Sequence, residues 1–374
     1  MDLTLVFSLL FLSCFHGASS DSRYFTSLFT LGDSYIDVGN FVIMAARAVP
    51  AVPVWHDKLP YGMTFFGHPT GRLSDGRVIV DFIAEQFGLP LLQASLLNSP
   101  DVSKGANFAV GGATAIDVDF YERNNLVQFK LLNNSLSVQL GWLKELKPYF
   151  CSATKGGCRG CFSKALFFVG EFGVNDYNFL WSAGKTEHEV MSYVPEIVEN
   201  IVRAVERLIK EGAVYVVVPG NPPNGCSPTI LTLRSSLNQT EKYDNIGCLS
   251  DINRVAMYHN VMLRSEIGAL REKYPRARII LADFYKPIIS MLQNPDSFGV
   301  ASQDALRTCC GGGGVYNWNP SAICGMPGAT ACKDPSAFVS WDGVHYTEAT
   351  YRYIAKAWLY GPFADPPILS AIRH

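Results

Sequence analysis

The chain has 374 residues, of which 48% are hydrophobic and 17% charged. That balance excludes an intrinsically disordered chain, because enough apolar surface is present to offset the entropy of ordering. The 31 basic and 33 acidic side chains leave a formal net charge of −2; with no long basic run, nucleic acid is excluded as a partner.

At the N-terminus, Leu3 to Phe15 is almost wholly apolar, and the small residues Ala18, Ser19 and Ser20 follow. This is the pattern of a signal peptide over residues 1–20, cleaved before Asp21, although its first residues carry Asp2 and no Lys or Arg. About 13 apolar residues cannot span about 30 Å of hydrocarbon as a helix, and no transmembrane segment is expected elsewhere. Residues 21–374 contain no repeat, low-complexity tract or linker, so they read as a single domain. A secreted chain should carry glycans at its sequons, which place acceptors at Asn133 and Asn238. Of ten cysteines, Cys14 leaves with the signal peptide. The nine others should mostly pair in an oxidising compartment. Cys158-Arg159-Gly160-Cys161 has no matching pair or histidine cluster at ligand spacing, so no metal is expected. No cofactor fingerprint appears either.

Several short apolar runs end in glycine-rich or polar turns, as buried parallel strands do. In chain order, Tyr24 to Leu31 runs into Gly32-Asp33-Ser34. Ala165 to Val169 runs into Gly170-Glu171-Phe172-Gly173-Val174-Asn175-Asp176. Val214 to Val218 runs into Pro219-Gly220-Asn221, and Arg278 to Ala282 into Asp283. Between them, Val190, Val194, Ile197, Ile201, Val205, Leu208 and Ile209 recur at helical spacing until Gly212. Ile252, Val255, Ala256, Leu263, Ile267 and Leu270 form a second stripe, stopped before Pro275. A third helix is expected from Thr347 to Tyr360, ahead of Gly361-Pro362. Strands alternating with helices imply a parallel α/β sheet covered on both faces, whose ligands bind at the carboxyl ends of the strands.

Ester hydrolysis needs a nucleophile, a base, a group that orients the base, and donors for an oxyanion. Ser34 follows a buried strand directly, although a serine there often only caps a helix. In Asp342-Gly343-Val344-His345, an acid three residues before a histidine can reach its Nδ1–H and leave Nε2 free for the serine; a solvated loop is the plainer reading of the segment alone. His56, His68, His188, His259 and His374 lack this arrangement, and His259 lies within a helical pattern. Asn175 offers a side-chain amide at a strand end, where Asn-Asp pairs also make ordinary turns. Gly111, in Asn107-Phe108-Ala109-Val110-Gly111-Gly112-Ala113, offers a backbone N–H or a simple glycine turn.

Taken in order, these segments resemble the plant branch of the GDSL-motif esterase/lipase family, within the SGNH-hydrolase superfamily. The resemblance covers essentially the whole mature chain. Gly32-Asp33-Ser34-Tyr35-Ile36-Asp37-Val38-Gly39-Asn40, Gly71-Arg72-Leu73-Ser74-Asp75-Gly76-Arg77 and Trp341-Asp342-Gly343-Val344-His345-Tyr346-Thr347-Glu348 look like its blocks. The resemblance implies a flavodoxin-like three-layer α/β/α sandwich with a parallel central sheet. It implies Ser34 as nucleophile, His345 as base and Asp342 as its orienting acid. The oxyanion donors would be the Ser34 and Gly111 amides and the Asn175 side chain. Two positions depart from the family: Tyr35 stands where a leucine is usual, and Val174 where a glycine is often found. The final block looks most like that of members acting on acetyl or hydroxycinnamoyl esters of specialised metabolites, of the acetylajmalan-esterase and sinapine-esterase type.

The expected protein is a secreted, monomeric hydrolase of a small-molecule ester, reaching the apoplast or vacuole. Acyl transfer on the same triad and cleavage of longer acyl esters stay open at this point, as does a catalytically dead binding protein. Cys151–Cys158 and Cys226–Cys248 are the expected short bridges, each beside a strand end. Cys309, Cys310, Cys324 and Cys332 would supply two more, leaving Cys161 outside.

Overall fold

The computed structural model describes residues 24–98, 100–127, 132–151, 156–235 and 242–372. Residues 1–20, which the sequence reads as a signal peptide, and the sequon asparagine Asn238 lie outside the described residues. Asn133 lies within them and is exposed.

Each of the four apolar runs forms a strand: β1 (Ser27–Leu31), β3 (Ala165–Val169), β4 (Tyr215–Pro219) and β5 (Arg278–Ala282). Between the first two in sequence comes the three-residue β2 (Gly105–Asn107). The sheet order is β2-β1-β3-β4-β5, all parallel, followed at the edge by β8 (Ala364–Asp365), which pairs antiparallel with β5. The central sheet is therefore mostly parallel, as expected, with one antiparallel strand added at its edge. Chain reversal at Gly361-Pro362 carries β8 back along β5. A separate two-stranded ribbon joins β6 (Cys310–Gly311) to β7 (Thr330–Ala331).

Alternation along the strands divides the core in two. Leu28, Leu166, Phe168, Val217 and Ile280 pack under the helices Ile79–Gln86, Tyr285–Gln293 and Glu348–Tyr360. Phe29, Phe167, Val216, Val218 and Ile279 face the helices Leu136–Cys151, Glu187–Glu211 and Ser250–Lys273. The result is a three-layer α/β/α sandwich. Helix Glu187–Glu211 begins at a reciprocal cap between Thr186 and Glu189 and ends at Gly212 in the left-handed conformation, which a residue without Cβ adopts at least cost. Among the described residues, no helix is long and apolar enough to cross a membrane.

Four disulfides are present among the described residues: Cys151–Cys158, Cys226–Cys248, Cys309–Cys332 and Cys310–Cys324. The first two match the expected short bridges. The other two settle the pairing within the four-cysteine cluster. Cys161 lies outside these bridges, buried, with its thiol 3.6 Å from the Phe150 carbonyl.

Candidate active site

Register fixes where the chemistry can lie. Leu31 pairs with Val169, Thr30 with Asn107, and Pro219 with Ala282. The turns that follow these strands therefore meet at one edge of the sheet, the usual ligand edge of such a fold.

Gly32 leaves β1 against the start of the next turn. A Cβ there would lie 2.8 Å from the Gly170 carbonyl and 2.7 Å from Ile36, so only glycine lets the two turns approach. The buried Gln139 amide fixes this point, accepting from the Gly32 N–H at 2.9 Å and donating to its carbonyl at 2.8 Å. Ser34 follows, 7% exposed.

The next motif is tied to the first by buried amides. Asn40 Nδ2 donates to the carbonyls of Asn107 (2.8 Å) and Ala109 (3.0 Å). Asn107 Nδ2 donates to Thr30 Oγ1 (2.6 Å) and the Ile36 carbonyl (2.7 Å). Asp37 gathers four backbone N–H groups: those of Gly39 and Asn40 at 2.7 Å, Phe41 at 3.0 Å and Gly111 at 2.8 Å. Burial raises Asp37 to about 6 in spite of these donors.

That last bond corrects one expectation. The Gly111 N–H points at Asp37 and is not available to a substrate. The Gly112 N–H and the Ser34 N–H make no backbone or side-chain hydrogen bond among the described residues. Gly112 has φ +79°, a conformation that suits glycine.

Asn175 lies in the first turn of helix Val174–Ser182. Its Nδ2 donates to Asp33 Oδ2 at 3.1 Å and to the Ala113 carbonyl at 2.9 Å. Its neighbour Asp176 is buried and accepts from the Ala115 and Ile116 N–H groups, both at 3.0 Å, and from the Tyr121 hydroxyl at 2.6 Å. Asp176 therefore holds the glycine turn against this helix.

His345 Nδ1 lies 2.7 Å from Asp342 Oδ2. The other Asp342 oxygen accepts the N–H groups of Val344 (3.0 Å) and His345 (2.9 Å). Burial works against the Asp342 charge, but His345 and these hydrogen bonds hold its carboxyl at about 2. His345 Nε2 is buried and has no hydrogen-bond partner among the described residues; the serine–histidine bond is open, as it often is without substrate. The loop is braced from behind. The Cys309 and Cys310 N–H groups donate to the Ser340 and Trp341 carbonyls at 2.9 and 2.7 Å, so both C-terminal disulfides stiffen the segment that carries Asp342. Gly343 has φ +101°, and a Cβ there would meet Trp318 at 2.5 Å.

Three groups at this edge gave no sequence signal. The Tyr61 hydroxyl donates to Asp342 Oδ2 at 2.9 Å. His56 packs against Phe41 and Tyr61 with ring centroids 5.2 and 6.0 Å apart, and burial, helped by nearby His345, lowers it to about 4. Glu171 is buried beside Asp33. His259 is a packed core histidine, 2.8 Å from the Tyr177 hydroxyl.

Tyr35 turns inward. It stacks on Tyr346 at 5.7 Å and meets Phe284 and His345 edge-on at 5.1 and 5.8 Å. Together with Val344, Tyr346, Ile288 and Leu292 it lines a cavity of about 20 Å³, room for roughly one water. A cavity of about 900 Å³ lies at the opposite edge of the sheet beside Arg159, Gly212 and Tyr274, away from these groups.

A family model described as GDSL-like Lipase/Acylhydrolase matches residues 28–358. Three GDSL esterase/lipases of Arabidopsis thaliana are similar along nearly their whole length. One is 43% identical over 91% of this chain and 92% of its own. A second is 41% identical over 92% and 86%, and a third 40% over 98% and 94%. Among solved structures, phospholipase A1 from Streptomyces albidoflavus NA297 is similar with a TM-score of 0.33 and 14% identity, covering 74% of this chain and 87% of that one.

Proposed function

The chain belongs to the GDSL-like lipase/acylhydrolase family, and from that premise we propose that it hydrolyses short-acyl esters through an acyl-enzyme on Ser34. The observation that carries the reading is the Asp342–His345 pair, 2.7 Å apart, with a buried and unpartnered Nε2. Neutral His345 takes the Ser34 proton as Oγ attacks the ester carbonyl, then returns it to the leaving alcohol. Ionised Asp342 holds the Nδ1 proton and stabilises the imidazolium, with Tyr61 steadying its Oδ2. The Ser34 and Gly112 N–H groups receive the oxyanion. Asn175 joins them by releasing Ala113 while Asp33 keeps its other N–H. Water then attacks the acyl-enzyme along the same path.

The acyl group is small in this reading. Tyr35, next to the nucleophile in sequence, packs against Tyr346 and Phe284, and the cavity that Tyr35 and Tyr346 line holds about 20 Å³. Acetyl is the first choice and hydroxycinnamoyl the second, on an alcohol of plant specialised metabolism. Secretion behind a signal peptide of residues 1–20, to the apoplast or vacuole, is supported by the four disulfides and by an exposed Asn133 sequon. Residues 21–374 would act as one monomeric catalytic domain.

The test is a chain-length series of p-nitrophenyl esters, run with and without an alcohol acceptor. The kcat/KM is expected to fall from acetyl to palmitoyl, with hydrolysis dominating. A rise along the series would refute the short-acyl reading, and transfer outpacing hydrolysis would refute the choice of water as acceptor.

A further inference from the structure

Beneath Ser34 lie two carboxyls that the mechanism above does not use chemically. Asp33 and Glu171 are each 1% exposed and lie against each other where their two turns meet, with Gly32 packed on the Gly170 carbonyl. Their four oxygens are unequally supplied. Asp33 Oδ1 accepts the Tyr35 N–H at 3.0 Å, and Oδ2 accepts Asn175 Nδ2 at 3.1 Å. Glu171 Oε1 accepts the Val174 N–H at 3.2 Å and Asn221 Nδ2. Glu171 Oε2 is buried, and no N–H or O–H donor among the described residues reaches it.

Two carboxyls in contact and away from water cannot both be ionised. The pair therefore retains a proton, and the oxygen without a donor is where it belongs. We propose that Glu171 is a positioning residue: protonated at Oε2, it donates to Asp33 and so fixes the carboxylate that aims the Asn175 amide at the oxyanion. This inference rests on the proposed role of Asn175 and adds to it the group that sets its direction.

The surroundings favour the proton. Burial raises Asp33 to about 7 and Glu171 well above the usual carboxylate range. Asp37 from the first turn and Asp176 from the helix after Glu171 add negative charge, while His345 opposes it at Asp33. Tyr35, Tyr177, Tyr346 and Tyr351 face the pair, each held neutral by burial. His259, beyond Asn221, is lowered to about 3 by burial and stays neutral. Losing the shared proton would put a second negative charge under the developing oxyanion.

Glu171→Gln places a permanent N–H donor where the proton sits, and Glu171→Ala removes it. With p-nitrophenyl acetate between pH 6 and 10, the Gln variant should stay close to wild type at neutral pH. It should also lack the alkaline decline in kcat that the wild type shows as Glu171 ionises. The Ala variant should lose about 10–10² in kcat with little change in KM, the cost of a displaced catalytic donor. Adding Glu171→Ala to Asn175→Ala should cost nothing more, because the two act through one amide.

Folding supplies an independent readout. A carboxyl whose folded pKa is raised gives stability that is fully present below its unfolded value and lost as pH rises through the folded one. The wild-type Tm should therefore fall more steeply than that of Glu171→Gln as pH rises from 5 to 9. The inference is overturned if Gln is as impaired as Ala, if its alkaline decline or Tm slope matches wild type, or if the double variant is additive. An Asn175→Ala enzyme with unchanged kcat would instead defeat the reading of the oxyanion site itself.

Discussion

Ser34→Ala is expected to lower kcat by about 10⁴–10⁶, the range seen when an acyl-enzyme nucleophile is removed. The loop should survive the change. Gly32 is clamped by Gln139, the Tyr35 N–H stays on Asp33, and Asp37 holds the backbone beyond. The alanine N–H is still present, so the oxyanion donors remain and a residual rate above water should persist. KM should move little. Steady-state kinetics on p-nitrophenyl acetate, with circular dichroism to verify the fold, checks this; a folded variant with most of its activity removes Ser34 from the mechanism.

Asp342→Asn should be nearly as damaging, costing about 10⁴ in kcat, the loss seen when an orienting carboxylate becomes an amide. Asp342 Oδ2 receives both His345 Nδ1 and the Tyr61 hydroxyl, while Oδ1 receives two backbone N–H groups. An amide has one acceptor oxygen for these four contacts. If that oxygen stays on the backbone, its NH2 faces Nδ1, and the imidazole takes the tautomer with its proton on Nε2, where the serine proton must go. The native carboxyl is held at about 2. Its stabilising contribution is thus present above the ordinary aspartate value and lost only as pH falls toward 2, so orientation of His345 should not fail across the working range. Comparison of kcat for Asp342→Asn and wild type at neutral pH tests this; a loss below 10-fold would mean that another group orients the base.

Ser34, the Asp342–His345 turn and Asn175 stand out in the sequence because each sits at a sharp change of pattern. A buried apolar run stops, or a capped helix begins, and a reactive side chain stands at the boundary. Gly111 and Gly112 are indistinguishable by that criterion. What separates them is the Asp37 carboxylate, 74 residues away in sequence, which takes one amide and leaves the other. Tyr61 and His56 come from an irregular segment without periodicity, where nothing local marks a side chain as facing Asp342. Glu171 read as part of a polar turn after a strand, and only tertiary packing against Asp33 makes it a buried acid. Tyr35, marked in the sequence only as a departure from the family's leucine, points into the core and packs against Phe284 and Tyr346. The antiparallel β8 is two residues long, too short to carry a periodic signal.

The central claim is that Ser34 carries the acyl group, and trapping it is the most direct test. The purified protein would be treated with a fluorophosphonate, digested, and mapped by tandem mass spectrometry. The account predicts one stoichiometric adduct on Ser34, formed in step with loss of esterase activity and greatly slowed in His345→Ala. Complete inactivation with the adduct on any other residue, or full activity with Ser34 quantitatively modified, would contradict it.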